Sequence, residues 1–600
     1  MIWRTVRVGC LLAAFGLAPS AARAWDPSRT HIGITQRAVA TSQVHRRWME
    51  GSGQALGWFT PLRIAPETLD PATQRALRVA MRRAHADVGA IAAGGPGACP
   101  PQPAPTETLQ RCVDGDVWET SAVGWLRIGI ALETADRTRI LHHFVDGTDP
   151  SRPSWEAKGR QRSVWRRIER RAGGGVARRL GRTGFSGVAT SAIGWLASND
   201  AFGPQALFWH QRAASLAALP AERDRHLALA LVAAGALLHV VQDLSVPAHA
   251  RGDLLGTIVP LSGVRGDRGS PLAEYARITF GRDIPTPLAL STRVEEVAPP
   301  LSVTEVLLDS ATRQGLVELA GKHFLSDGTL PSPRVIDRSL DAAAAATAWL
   351  GPDRAGLDSD EAQGAVLQPW PAESGYLRTR TGRALAAWTA DGDGVVRGYL
   401  DRRVLREHAL FLLPAAVQAS VDTLDVTWPE WPTTRHDVAR NLLEIDPDAG
   451  MSQRELLIVI EDGAGRRTVE RRVELAQGAS RIRGITPAGL PESGHVVLVL
   501  AGRRADGQGV VIERRLDAQS TPAAPTSSGA AETDVPAETD VPATTDEPAT
   551  TDVPATKSPS TEKPSAEKPS AEKPATGAAG AAVPGPSPVA TPPPESDPPR

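Results

Sequence analysis

Six hundred residues exceed what a single hydrophobic core organises, so two or more domains are expected, together with segments that do not fold. The formal net charge of -2, from 66 basic against 68 acidic side chains, says little about partners, although its distribution says more. The stretch from about Ser520 to the end is almost wholly Ala, Pro, Thr, Ser, Glu, Asp, Lys and Gly without an aromatic residue, which excludes a core there and predicts disorder.

In chain order, Arg4 and Arg7 precede an apolar stretch from Val8 to about Leu17 and then Ala22-Arg23-Ala24, the pattern of a secretory signal with its cleavage site. The expected mature chain starts at Trp25, exported to the periplasm or beyond. Most of the apolar stretch follows Cys10, whereas a lipid-attachment cysteine has it before, so an acylated anchor does not fit. Cys99 and Cys112 then remain as a pair, either two free thiols or a disulfide closing a Pro-rich loop and contributing about 3 kcal/mol.

From Thr30 to about Leu350, Ala- and Leu-rich segments separated by Gly, Pro and Asp predict helices. The most apolar of them, Leu227 to Leu244, is interrupted by His239 too early to span a bilayer and reads as a central buried helix. A helical continuation from Arg402 to Leu424 gives way to four short apolar or alternating runs, Leu456 to Ile460, Val469 to Leu475, Val496 to Leu500 and Val510 to Leu516. The expected architecture is a signal peptide over 1–24, a mainly α-helical catalytic-type domain over 25–425, a small antiparallel β-sandwich over 426–518 and a disordered tail over 519–600. The tail repeats Ala-Glu/Thr-Thr-Asp-Val/Glu-Pro from Ala531, followed by Glu-Lys-Pro units, as a spacer would.

In His239-Val-Val-Gln-Asp243-Leu-Ser-Val-Pro247-Ala-His249, His239 and Asp243 share one face of a helix. Pro247 ends that helix, and the turn can return His249 beside them. An ionised aspartate against such an apolar run is costly to bury unless cations neutralise it, as a bound metal does. The same segment also reads as a helix end with two surface histidines. His142 and His143, before Phe144-Val145-Asp146, follow Glu133 and Asp136 and add the imidazole and carboxylate types that suit zinc in hydrolases. His31 opens the first helix, where it is otherwise an ordinary N-terminal helix residue. Asp391-Gly-Asp393-Gly lacks the later ligands of a calcium loop and reads as a turn.

Together these segments resemble the family that unites bacterial zinc-dependent phospholipase C with the fungal and plant single-strand nucleases. The resemblance covers about Trp25 to Pro333 and rests on four separated pieces in order. It implies up to three zinc ions. Trp25 would give its amine and carbonyl, with His31, to one; Glu133, preferred over Asp136, and His143 would join His239 and Asp243, with Asp243 bridging two metals. His249 belongs to the same ligand segment as His239 and Asp243, and Glu274 would supply the acid that completes the second ion. On that reading Asp243 and Glu133 carry the catalytic roles, and His142 is a neighbour. The family places a histidine four residues before the acid, where this chain has Ser270, and no histidine lies between His249 and His323. Asp253 or Asp267 would have to substitute, or that metal is weakly held.

The implied activity is hydrolysis of phosphate esters, first of phospholipid, because the start Thr30-His31-x-x-Ile34-Thr35-Gln36 resembles the lipases and some members add a membrane-engaging β-sandwich. The short spacing from Trp25 to His31 favours a single-strand nuclease as the alternative, and the missing histidine favours a cell-envelope binding protein. Ten basic residues against one acidic between Lys158 and Arg182 form either a solvated helix or a flap that attracts lipid head groups, nucleic acid or an anionic membrane surface.

Overall fold

A helix that is apolar on every side belongs in the middle of a protein, and Pro220–Asp243 is such a helix. Pro220 occupies its first turn, Glu222 complements the positive end of its dipole, and every residue from Ala228 to Asp243 is buried. The computed structural model describes residues 25–26, 29–51, 53–89, 117–134, 139–145, 191–198, 202–253, 270–285, 300–308, 315–352, 354–437, 440–445, 451–475, 480–485, 494–504 and 507–516. The signal segment, both later cysteines, Asp136, Asp146, Asp267, the basic stretch 158–182 and the tail lie outside the described residues.

Around the central helix stand Thr30–Thr41, Ala122–Glu133, Pro204–Leu216 and Arg402–Thr427. Ala122–Glu133 is capped by the Ser121 hydroxyl, which accepts from the Gly124 amide at 3.2 Å. It crosses the central helix at a pair of glycines: a Cβ on Gly235 would sit 2.0 Å from the Leu126 carbonyl oxygen, and one on Gly129 would sit 2.1 Å from that of Val232. Backbone meets backbone there, and the crossing sets how Glu133 at one helix end faces Asp243 at the other. Pro220–Asp243 and Arg402–Thr427 are long and apolar enough to cross a membrane by length and composition, and most of each apolar stretch is buried inside the protein.

The expectation of a mainly helical protein with one small β-sandwich is overturned. The chain is mixed helix and sheet, with four antiparallel sheets among the described residues. Strands β1 (Pro61–Ile64) and β2 (Trp118–Ser121) form a ribbon against the central helix. β3 (Arg334–Val335), β4 (Val366–Gln368), β5 (Ser374–Arg378), β6 (Ala384–Ala390) and β7 (Val395–Tyr399) form a five-stranded sheet in the order β3-β7-β6-β5-β4. It has its own core around Trp349, Leu367, Leu377, Trp388 and Val396, inside the range expected to be helical. The reason is composition: β6 is Ala-Leu-Ala-Ala-Trp-Thr-Ala, whose alanines carry a helical rather than a strand preference, and burial overrides that preference. Asp391 forms the turn between β6 and β7, its carboxylate accepting from the Asp393 and Val395 amides.

The C-terminal strands are β8 (Thr434–Asp437), β9 (Leu442–Ile445), β10 (Met451–Glu461), β11 (Arg467–Leu475), β12 (Ser480–Arg483), β13 (His495–Arg504) and β14 (Gly509–Leu516). They make a sheet β11-β10-β13-β14 and a smaller one β12-β9-β8, with Leu443, Ile445, Leu456, Ile458, Ile482 and Leu498 packed together. The opposite face of the larger sheet, through Leu457, Val459, Val497, Val499 and Val511, closes on Phe208 and Leu216 of the helix Pro204–Leu216. A sheet covered on both faces explains the unbroken run Leu456 to Ile460 in place of strict alternation.

Candidate metal centre

The central helix brings His239 one turn from Asp243, with His239 Nε2 3.3 Å from Asp243 Oδ2. Beyond Leu244 the chain turns, the Val246 amide donating to the Asp243 carbonyl at 2.9 Å, and Pro247 starts the short helix Pro247–Ala250. That turn returns His249, whose Nδ1 lies 4.0 Å from Asp243 Oδ2. His249 Nδ1 also donates to the His143 carbonyl at 2.9 Å, while the Val145 amide donates to the His249 carbonyl at 3.2 Å, so the two histidine segments lock each other.

Asp243 is the hub. His143 Nδ1 donates to its Oδ2 at 2.6 Å, and His31 Nε2 stands 2.9 Å from its Oδ1. On its other side His143 Nε2 donates to Glu133 Oε2 at 3.2 Å, and Arg139 forks onto both Glu133 oxygens. All six of these carboxylate and imidazole side chains are buried.

Burial works to raise the Glu133 carboxyl, but the charges and bonds of Arg139 and His143 outweigh it and bring it down to about 2. Burial works to lower His143, and its bonds to Asp243 and Glu133 outweigh that and raise it to about 9. Burial pushes His239 down to about 4, helped by His31 beside it, and burial likewise pushes His249 down to about 4. Asp243 is held well below the usual carboxylate range: burial opposes this, and the surrounding imidazoles, His239 and His143 foremost, prevail.

Among these six side chains, four buried polar atoms have no hydrogen-bond partner: His31 Nε2, Asp243 Oδ1, His239 Nδ1 and His249 Nε2. The approach of His31 Nε2 to Asp243 Oδ1 at 2.9 Å lacks the angle of a hydrogen bond, although the imidazole still helps to hold the Asp243 carboxyl low. His31 Nδ1 donates to Gln242 Oε1 at 2.7 Å, which leaves Nε2 as a lone pair. Gln242 is turned that way because its amide nitrogen donates to the hydroxyls of Thr35 and Ser420. Two lone pairs facing one another in a buried pocket call for a cation between them. His31, His239 and Asp243 offer ligand atoms all within 4.8 Å of one another, and this group could hold a metal ion. The second nitrogens of His31 and His249 are bound to oxygen acceptors, the arrangement that orients metal-ligating imidazoles.

Of the residues expected from the sequence, His31, Glu133, His143, His239, Asp243 and His249 meet in this pocket. Trp25 is fully buried beside it, its indole donating to the Gln242 carbonyl and the Ser245 hydroxyl. Glu274 is engaged elsewhere: Arg277, one turn on, forks onto both of its oxygens at 2.8 and 2.6 Å. Ser270 is buried at the start of that helix, and Asp253 accepts from the Gly328 amide at 2.7 Å. His142 stacks on Trp195 with ring centres 4.3 Å apart. Sequence reasoning missed Gln242 and Arg139. Gln242 lies inside the His-x3-Asp segment, on the turn facing His31, and its position next to Asp243 was the available signal; Arg139 carried none. Comparison of the chain with known protein families, with curated proteins and with solved structures finds no match.

Proposed function

We propose that this chain is a metal-dependent hydrolase of phosphate esters, of the phospholipase C type, with zinc as its metal. The observation that carries this reading is the buried group His31, His239 and Asp243, whose ligand atoms lie within 4.8 Å of one another and in which His31 Nε2 and Asp243 Oδ1 face each other without a hydrogen-bond partner. Imidazole and carboxylate together form the donor set that zinc takes in hydrolases. His31, His239 and Asp243 would hold the ion, whose chemistry when bound would be polarisation of a phosphoryl oxygen and provision of hydroxide at neutral pH. The protein's share is positioning. Gln242 holds His31 in the ligating tautomer, His143 holds Asp243, and His239 and His249, pushed down to about 4, stay neutral at pH 7 with lone pairs available. No serine or cysteine nucleophile is required, and the products are a phosphomonoester and an alcohol.

The test is hydrolysis of a phosphocholine ester, a phosphoserine lipid and single-stranded DNA, side by side, by protein beginning at Trp25. Turnover of a phosphocholine ester, lost on chelation and restored by zinc, is the expected result. Turnover of DNA alone assigns a nuclease instead, and metal binding without any turnover assigns the binding-protein reading that the Glu274–Arg277 fork favours.

A further inference from the structure

Two of the three acids that the ligand set offers are each gripped by an arginine near in sequence. Arg139 forks onto Glu133 and Arg277 forks onto Glu274, both through Nε and Nη2. A planar guanidinium satisfies a carboxylate at both oxygens and delivers a full positive charge, which is what a metal ion at the same carboxylate would do. Arg139 is held for this: its guanidinium lies 5.1 Å from the ring centre of Trp195 and 5.8 Å from that of Phe202. His143 is likewise committed, with one ring nitrogen on Asp243 and the other on Glu133, so neither presents a lone pair. Of these three acids, only Asp243 keeps a buried carboxylate oxygen without a hydrogen-bond partner, Oδ1, and it faces His31 Nε2 at 2.9 Å. Charge leads to the same count. Three divalent ions would bring six positive charges to a pocket whose acids are Asp243 and Glu133, the second already neutralised by Arg139.

We propose that the centre is mononuclear, with one divalent ion on His31, His239 and Asp243, and that Arg139 stands beside Glu133 as a fixed cation where a second ion would otherwise sit. This rests on the metal-hydrolase reading, and it makes Arg139 a positioning and charge-supplying residue. The experiment is zinc content by mass spectrometry after loading with excess zinc and desalting, on the full chain beginning at Trp25.

One equivalent is expected for the unaltered protein and two for Arg139→Gln, which releases Glu133 and with it His143. Glu133→Gln, measured alongside in case the first variant misfolds, should keep one equivalent with a zinc affinity changed less than threefold. Two or three equivalents in the unaltered protein, or a tenfold or greater loss of affinity in Glu133→Gln, overturns the mononuclear assignment, a single equivalent in folded Arg139→Gln overturns the role given to Arg139, and each leaves the hydrolase standing. No zinc in any of them removes both.

Discussion

At Asp243 the two carboxylate oxygens have different tasks. Oδ2 accepts from His143, whereas Oδ1 faces His31 Nε2 at 2.9 Å. Asp243→Asn would put a neutral amide at that position, so the expected outcome is loss of bound zinc and of nearly all hydrolysis, with the circular dichroism spectrum retained. Wild-type zinc content in the Asn variant would show that the ion sits elsewhere. The metal-free protein should also have a two-sided pH profile. Below pH 6.5 the unfolded chain protonates His239 and His249 while the folded one resists until about 4, so stability falls with acid by about 1.4 kcal/mol per pH unit for each. Glu133, lowered to about 2, adds a further acid loss that begins only below pH 4.5. His143 has the opposite sign: raised to about 9, its stabilisation is complete below 6.5 and is lost as pH rises to 9. Urea midpoints of chelated protein should therefore peak near pH 6.5, and a curve rising steadily from 6.5 to 9 would contradict the His143 geometry.

Among the elements, the crossing of Ala122–Glu133 over Pro220–Asp243 matters most, because it joins Glu133 to Asp243 through His143. Gly235→Ala places a methyl group 2.0 Å from a carbonyl oxygen on a neighbouring backbone that cannot move aside as a side chain would. The expected cost is about 1–3 kcal/mol of stability, with a parallel loss of zinc affinity as the helices separate. Urea unfolding and a zinc competition titration read the two effects, and an unchanged affinity would mean that the crossing does not set the site. The central helix and the strands β10, β11, β13 and β14 were legible in the sequence because long apolar runs and β-branched residues announce them locally. The five-stranded sheet was not, since its strands are short and β6 is rich in alanine. Its pairing is a property of residues from Arg334 to Tyr399 taken together.

For the molecule as a whole, the described residues form one compact unit, so the C-terminal sheets do not stand apart from the helices. A buried charge network ties them: Arg467 donates to Glu461, Glu513 and the Ser215 carbonyl, and Arg223 reaches Glu461 from the central helix. Removing one member leaves unpaired charge indoors, so Arg467→Ala should cost about 3–5 kcal/mol. Fluorescence and far-UV transitions should shift together, and a separate early transition of the sheets would show that the two parts unfold independently. What the sequence by itself determined is local: the helical period that puts His239 and Asp243 on one face, the proline that brings His249 round, and the residue types that suit a metal. What only the tertiary structure decided is which polar atoms are left without partners. Glu133 and Glu274 look as available as Asp243 in the sequence, but Arg139 and Arg277 satisfy them. Whether a carboxylate is free depends on which donors folding places against it, and an arginine three or six residues away reaches it only once the backbone between them has its final path.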